Sequence, residues 1–235
     1  MIKLFRRIRF EFMENNKTGK YLKYAIGEIV LVVVGILIAL QLNAWNDYSK
    51  DRTIEKKVLL NLRYDLQKDT TDLNNLLRLK KDQLQKCHRM LDAFNNPNRE
   101  ILDSLQFINN IKYSFYFYVD NPHRTAFDLG KSSGDLFKIT NDTLLKKISV
   151  YFSNNNTTQF LATNKKFSNE FMSDVYLQHH NLNFQNFNVF KEGVLKDFKI
   201  SNYFSVMLEY LSISIDLITE KKNSALELMA DIDKH

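Results

Sequence analysis

The stretch Ala25-Ile-Gly-Glu-Ile-Val-Leu-Val-Val-Val-Gly-Ile-Leu-Ile-Ala-Leu-Gln-Leu-Asn43 constrains this chain more than any other part of it, because nineteen residues pass with Glu28 as their one charge. Extended to Tyr21 and Trp45, the segment reaches the ~20 residues that a helix needs to cross a ~30 Å hydrocarbon core. Residues 21–45 are therefore read as a transmembrane helix. Tyr21 and Tyr24 at one end, and Trp45 and Tyr48 at the other, suit the two membrane–water interfaces, where amphipathic rings settle. A cleavable signal peptide would have a shorter apolar core and a small-x-small cleavage site; Leu42-Asn43-Ala44 puts Leu where a small residue belongs.

Charge follows the same division. The whole chain of 235 residues is +6, with 33 Lys+Arg against 27 Asp+Glu, which on its face points to an anionic partner. Residues 1–24 alone carry +5, from seven basic and two acidic side chains; residues 45–235 carry +2. The basicity is thus a signal about topology, and it argues against nucleic acid as a partner. Five Lys/Arg follow the apolar segment over 45–65, against seven before it, so the positive-inside rule places the N-terminus in the cytoplasm and the bulk of the chain outside it. The expected topology is single-pass, with residues 45–235 outside the cytoplasm. Residues 1–20 form a basic arm in which Ile2, Phe5, Ile8 and Phe12 recur at helical spacing around Arg6, Arg7 and Arg9. An interfacial helix on anionic headgroups and an unstructured basic tail both fit this pattern.

From Ile36 to Asn96 there is neither Gly nor Pro, a run of 61 residues against a mean helix of ~11–12. Leu59, Leu62, Leu66, Leu73, Leu77, Leu84, Cys87, Leu91 and Phe94 recur at steps of three and four, with Asp69 and Lys80 at intervening core positions and an extra step of four at Leu73–Leu77 resembling a stutter. One long helix is expected, ending at Asn95-Asn96-Pro97. Shorter helical pieces follow: an aromatic-rich piece from Leu102 to Val119 with a strand as its alternative near residues 113–119, a helix capped by Asn141 or Asp142, one over roughly Thr158–His180, and a long helix from Asn202 with Phe204, Met207, Leu208, Leu211, Ile215, Ile218, Ala225, Leu226, Met229 and Ile232 along its apolar face. Gly130 and Gly134 are read as helix-ending residues. The fold class is all-α, with residues 46–235 an extracytoplasmic helical bundle in which the first and last long helices pack together.

The residues 20–46, with Tyr24-Ala-Ile-Gly-Glu-Ile-Val-Leu-Val-Val-Val-Gly-Ile-Leu-Ile-Ala-Leu-Gln-Leu-Asn-Ala-Trp-Asn46 at their centre, resemble the start of a large family of uncharacterised bacterial membrane proteins, a domain-of-unknown-function family of Bacteroidetes-type genomes. Phe127-Asp-Leu-Gly-Lys-Ser-Ser-Gly-Asp-Leu136, Asn141, Leu144 and Tyr151-Phe152 are similar to a later segment of the same family; Ala44 stands where its members commonly have Asn. The resemblance implies a single-pass inner-membrane protein and no chemistry.

Candidate working residues are few. Glu28 lies in the apolar segment, where a carboxylate is costly and is either paired for work or held near the interface. On the same helix Gly27, Leu31, Gly35, Ala39 and Asn43 repeat every four residues, and Gly35-x-x-x-Ala39 permits close helix–helix approach, with Gln41 and Asn43 able to hydrogen-bond across helices. Membrane-interface contacts are assigned to Arg6, Arg7, Arg9, Tyr21, Tyr24 and Trp45. The five His residues form no ligand spacing, Cys87 falls in the apolar register, and Ser133-Gly134-Asp135 lacks the strand and spacing of a nucleophile elbow. No cofactor, metal or catalytic set is expected. The chain reads as a non-enzymatic interaction or scaffold protein with the bilayer, and a protein partner or second copy, as its companions; the alternative is a ligand-sensing bundle that signals through a partner.

Overall fold

The computed structural model describes residues 18–96, 103–114, 121–171 and 187–235. The basic arm with Arg6, Arg7 and Arg9, the side chain of Tyr21, the strand candidate beyond Ser114, and residues 172–186 lie outside them. The described residues are all-α: α1 (Thr18–Asn95), α2 (Ser104–Ser114), α3 (Thr125–Ser133), a 3₁₀ turn (Asp135–Lys138), α4 (Asp142–Ser153), α5 (Asn156–Phe171), α6 (Phe187–Lys196) and α7 (Phe198–Asp233). They divide at Ile54/Glu55 into two compact units.

The first unit is the beginning of α1. It contains no Pro, so the backbone satisfies itself residue after residue, but nothing packs on it. Every residue from Ile26 to Lys50 is exposed. A methyl group added at Gly27 or Gly35 would meet nothing within 4 Å.

In the second unit α1 and α7 run antiparallel, as expected for the two longest helices. Arg63 holds Asp233 in a two-pronged pair of 2.6 and 3.1 Å. Further along α1, Leu73, Leu76 and Leu77 share an apolar cluster with Ile218 of α7 and Leu161 of α5. Cys87 and Met90 then meet Tyr203, Phe204, Met207 and Leu211, joined by Phe107 and Ile111 of α2. Each fully buried Leu or Phe contributes roughly 1.5–3 kcal/mol, so these clusters are the main cohesive term.

Three details differ from the sequence reading. The buried face of α1 runs Leu59, Leu62, Leu66, Asp69, Leu73, Leu76, Lys80, Gln83, Cys87 and Met90, alternating three and four with no stutter. Leu84, Leu91 and Phe94 are half-buried flanks, because polar Gln83, not Leu84, takes the inward position. Gly130 lies within α3, where an added Cβ would sit 3.1 Å from Leu136 Cγ; close packing explains this glycine, whereas Gly134, at φ 82°, does terminate the helix. Finally, α7 begins at Phe198, four residues before Asn202, because Asp197 accepts from Lys199 N–H at 2.8 Å and supplies the cap.

Candidate functional site

Gly27, Glu28, Gly35, Ala39, Gln41 and Asn43 all lie on α1 in the first unit, and all are exposed. Gly35 and Ala39, about one turn apart, are neighbours on the helix surface, where their small size leaves backbone open to an approaching surface. The Asn43 amide donates to Asp47 at 3.3 Å, on the same helix. Tyr24 is 58% and Trp45 71% exposed, the second followed by Tyr48, whose hydroxyl accepts from Arg52 Nε at 3.0 Å. This helix is long and apolar enough to cross a membrane, and among the described residues it alone is so.

The second unit holds a polar arrangement of another kind. Three carboxylates of α1 point inward and bind backbone. Glu55, 2% exposed, accepts from Thr140 N–H at 2.7 Å and from its hydroxyl at 3.1 Å, and meets His235 Nε2 at 3.0 Å. Asp65 accepts from Ala126 N–H at 2.8 Å. Since α3 begins at Thr125 after an Arg124 that offers no side-chain cap, Asp65 serves as the missing cap from a different helix. Asp69 divides its oxygens between His123 N–H at 2.6 Å and the Tyr151 hydroxyl at 2.9 Å. Asp72 adds a contact of 2.9 Å to the His123 ring.

These acids clasp the segment from His123 to Tyr151, which contains most of the Phe127–Phe152 motif. Phe127 stacks on Phe152 at 4.9 Å, Tyr151 meets Phe152 edge-on at 5.0 Å, and the Asn141 side chain accepts from Leu144 N–H at 3.0 Å. The motif therefore builds a corner of the bundle against α1.

Further along, Gln83 donates to Ser114 carbonyl oxygen at 2.9 Å, and Tyr203 donates to the Ser168 hydroxyl at 3.0 Å. Burial pushes the Cys87 thiol up to about 12 and raises Tyr203 well above the ordinary phenol range, so neither ionises near neutrality. His88, beside Cys87 in sequence, is exposed. Lys80 is 2% exposed, and burial lowers its ammonium to about 8. No group of three His, Cys, Asp or Glu able to hold a metal occurs among the described residues.

A family model spans residues 28–209, more than half of the chain. The chain belongs to DUF6090, a family of unknown function. The DUF6090 match opens on Glu28, runs along the apolar segment, and includes α1's inward acids together with the Phe127–Phe152 corner. No curated protein and no solved structure matches.

Sequence reasoning singled out Asp69 but not Glu55 or Asp65, which do equivalent work. The available signal was an acid at or beside each core-register position, Asp65 next to Leu66 and Asp69 three residues on. Each accepts from a backbone N–H group, a donor that carries no side-chain signature, so the pairing emerges from the fold alone.

Proposed function

We propose that this member of DUF6090 is a membrane-anchored, non-enzymatic interaction or scaffold protein of the bacterial cell envelope. Residues 21–45 cross the inner membrane, the N-terminus is cytoplasmic, and the bundle stands on the periplasmic side. One observation carries the anchor: a helix whose Ile26–Leu42 side chains are apolar apart from Glu28 and Gln41 and exposed throughout, a surface that only lipid or another apolar helix stabilises. The bundle supports the rest of the reading, because its inward carboxylates are engaged by backbone N–H groups and hydroxyls of the bundle itself and its Cys87 thiol and Tyr203 phenol are held protonated. Association through the open surface at Gly27, Gly35 and Ala39, with Gln41, Asn43 and Glu28 as polar contacts, would bring in a second copy or a single-pass partner.

Crosslinking in native membranes, followed by mass spectrometry of the purified full chain, tests this. A reproducible crosslink from the 21–45 segment or the bundle to a second copy or to a specific membrane protein is expected. A monomer with no crosslinked companion overturns it.

A further inference from the structure

The turn between α3 and α4 presents a bare aromatic ring at one end of the second unit. We propose that this turn, with Phe137 at its tip, rests in the lipid headgroup layer as a second contact with the bilayer, a contact that rests in turn on the anchor proposed above.

Three carboxylates place the turn. Asp69 of α1 accepts from His123 N–H, Asp65 from Ala126 N–H, and Glu55 from Thr140 N–H, so residues 123–140 run back along α1 toward Glu55. There the chain reverses, and α4 returns until the Tyr151 hydroxyl reaches Asp69. Ten positions separate Glu55 from Trp45, a stretch of ~15 Å as helix and at most ~36 Å fully extended. Phe137 stands three residues from Thr140, which adds no more than ~11 Å. So short a tether gives the turn a high effective concentration at the interface assigned to Trp45.

The ring is also held outward. Phe137 is 78% exposed, more than any other large apolar side chain of the second unit among the described residues. Its neighbours fix it there. Leu136 and Ile139 are buried, and Gly134 turns the chain at φ 82°. Phe137 N–H donates to Gly134 carbonyl oxygen at 3.1 Å, and Ile139 N–H to Leu136 carbonyl oxygen at 3.2 Å. Gly130 packs against Leu136 and so brings its neighbour Leu129, also exposed, to the same turn. Single exposed apolar rings are ordinary on a surface that faces water. A ring that cannot fold inward, tethered beside a bilayer, gains by settling at headgroup level, where aromatic side chains are favoured. The charges of residues 129–142 cancel, Lys131 and Lys138 against Asp135 and Asp142, so the contact is apolar and does not require anionic lipid.

The test uses the full chain reconstituted in phosphatidylcholine vesicles with brominated acyl chains, which quench indole fluorescence on contact. Trp45 is the one Trp of the parent chain and reads the anchor. In a Trp45→Phe background, Phe137→Trp reads the turn and Phe198→Trp is the control. Phe198 is 70% exposed, but Tyr203 and Phe204 beyond it pack on Cys87 and Met90, so α7 starts at the opposite end of the second unit. Both probes replace exposed rings, so neither should shift the bundle's melting temperature. Quenching of Trp45 and of the Phe137→Trp variant at least about twofold above that of Phe198→Trp is expected, unchanged at high salt. If Trp45 is quenched but Phe137→Trp is quenched no more than Phe198→Trp, or only at low salt, this inference is overturned and the anchor stands. An unquenched Trp45 overturns both.

Discussion

The two units of this molecule use the same helix in opposite ways. Up to Ile54, α1 turns apolar side chains outward and buries nothing; from Glu55 onward it turns Leu62, Leu66 and Leu73 inward, completely buried. Charge follows the reverse pattern. The first unit holds Glu28 as the sole charge among residues 25–44, whereas the second buries Glu55, Asp65, Asp69 and Lys80. An apolar surface without an internal partner must find lipid or another helix, while a buried charge must find hydrogen bonds or lose stability. What decides the fate of each residue is therefore the environment its stretch of helix meets, not the helix.

Substitutions that exchange these rules break the contrast most sharply. Replacing Ile36 and Leu37 with Lys costs roughly 2.5–3.5 kcal/mol per residue against membrane insertion. Cell fractionation should show the variant lost from the membrane, whereas urea unfolding of its bundle should match that of the parent. In the second unit Asp69→Ala removes two charge-assisted bonds and strands His123 N–H and the Tyr151 hydroxyl; a loss of about 3 kcal/mol is expected in urea titration. Asp69→Asn, which keeps an acceptor for His123, should lose less.

Lys80 offers the reciprocal case. Burial lowers its ammonium from 10.5 to about 8, so the unfolded chain holds that proton more tightly than the folded one. The charged form thus destabilises the fold below pH 8, and the penalty disappears as pH rises from about 8 toward 10.5. Lys80→Met should raise stability at pH 7 by up to about 3 kcal/mol and flatten the pH 7.5–9.5 stability profile, as read by thermal melts. The smallest effect comes from one substitution made twice. Gly130→Ala should cost about 1 kcal/mol, because its methyl group meets Leu136, while Gly27→Ala, which meets open space, should leave bundle stability unchanged.

Much of the architecture was legible because helices advertise themselves through spacing. The absence of Gly and Pro after Ile36 forecast a helix ending at Asn95, and the α7 residues Phe204, Met207, Leu211, Ile218, Ala225 and Ile232 were read correctly as inward. Leu226 was not: it is 48% exposed, and Leu228 takes the buried place. Errors of that size arise where two apolar residues compete for one register position and packing against neighbours decides. The α1 register beyond Leu77 was misread for the related reason that Gln83 is polar yet bonded inside, to Ser114 carbonyl oxygen. The acid clasp was illegible in principle, since it depends on backbone groups brought from more than 50 residues away. Glu55 and Thr140 are 85 positions apart.

Alkaline carbonate extraction of native membranes containing the full chain tests the central contrast most directly. If lipid covers the exposed apolar helix, the protein stays in the membrane pellet, and the Ile36→Lys, Leu37→Lys variant does not. Release of the parent chain into the supernatant would contradict a membrane-spanning residue 21–45 segment and require another apolar surface to cover it.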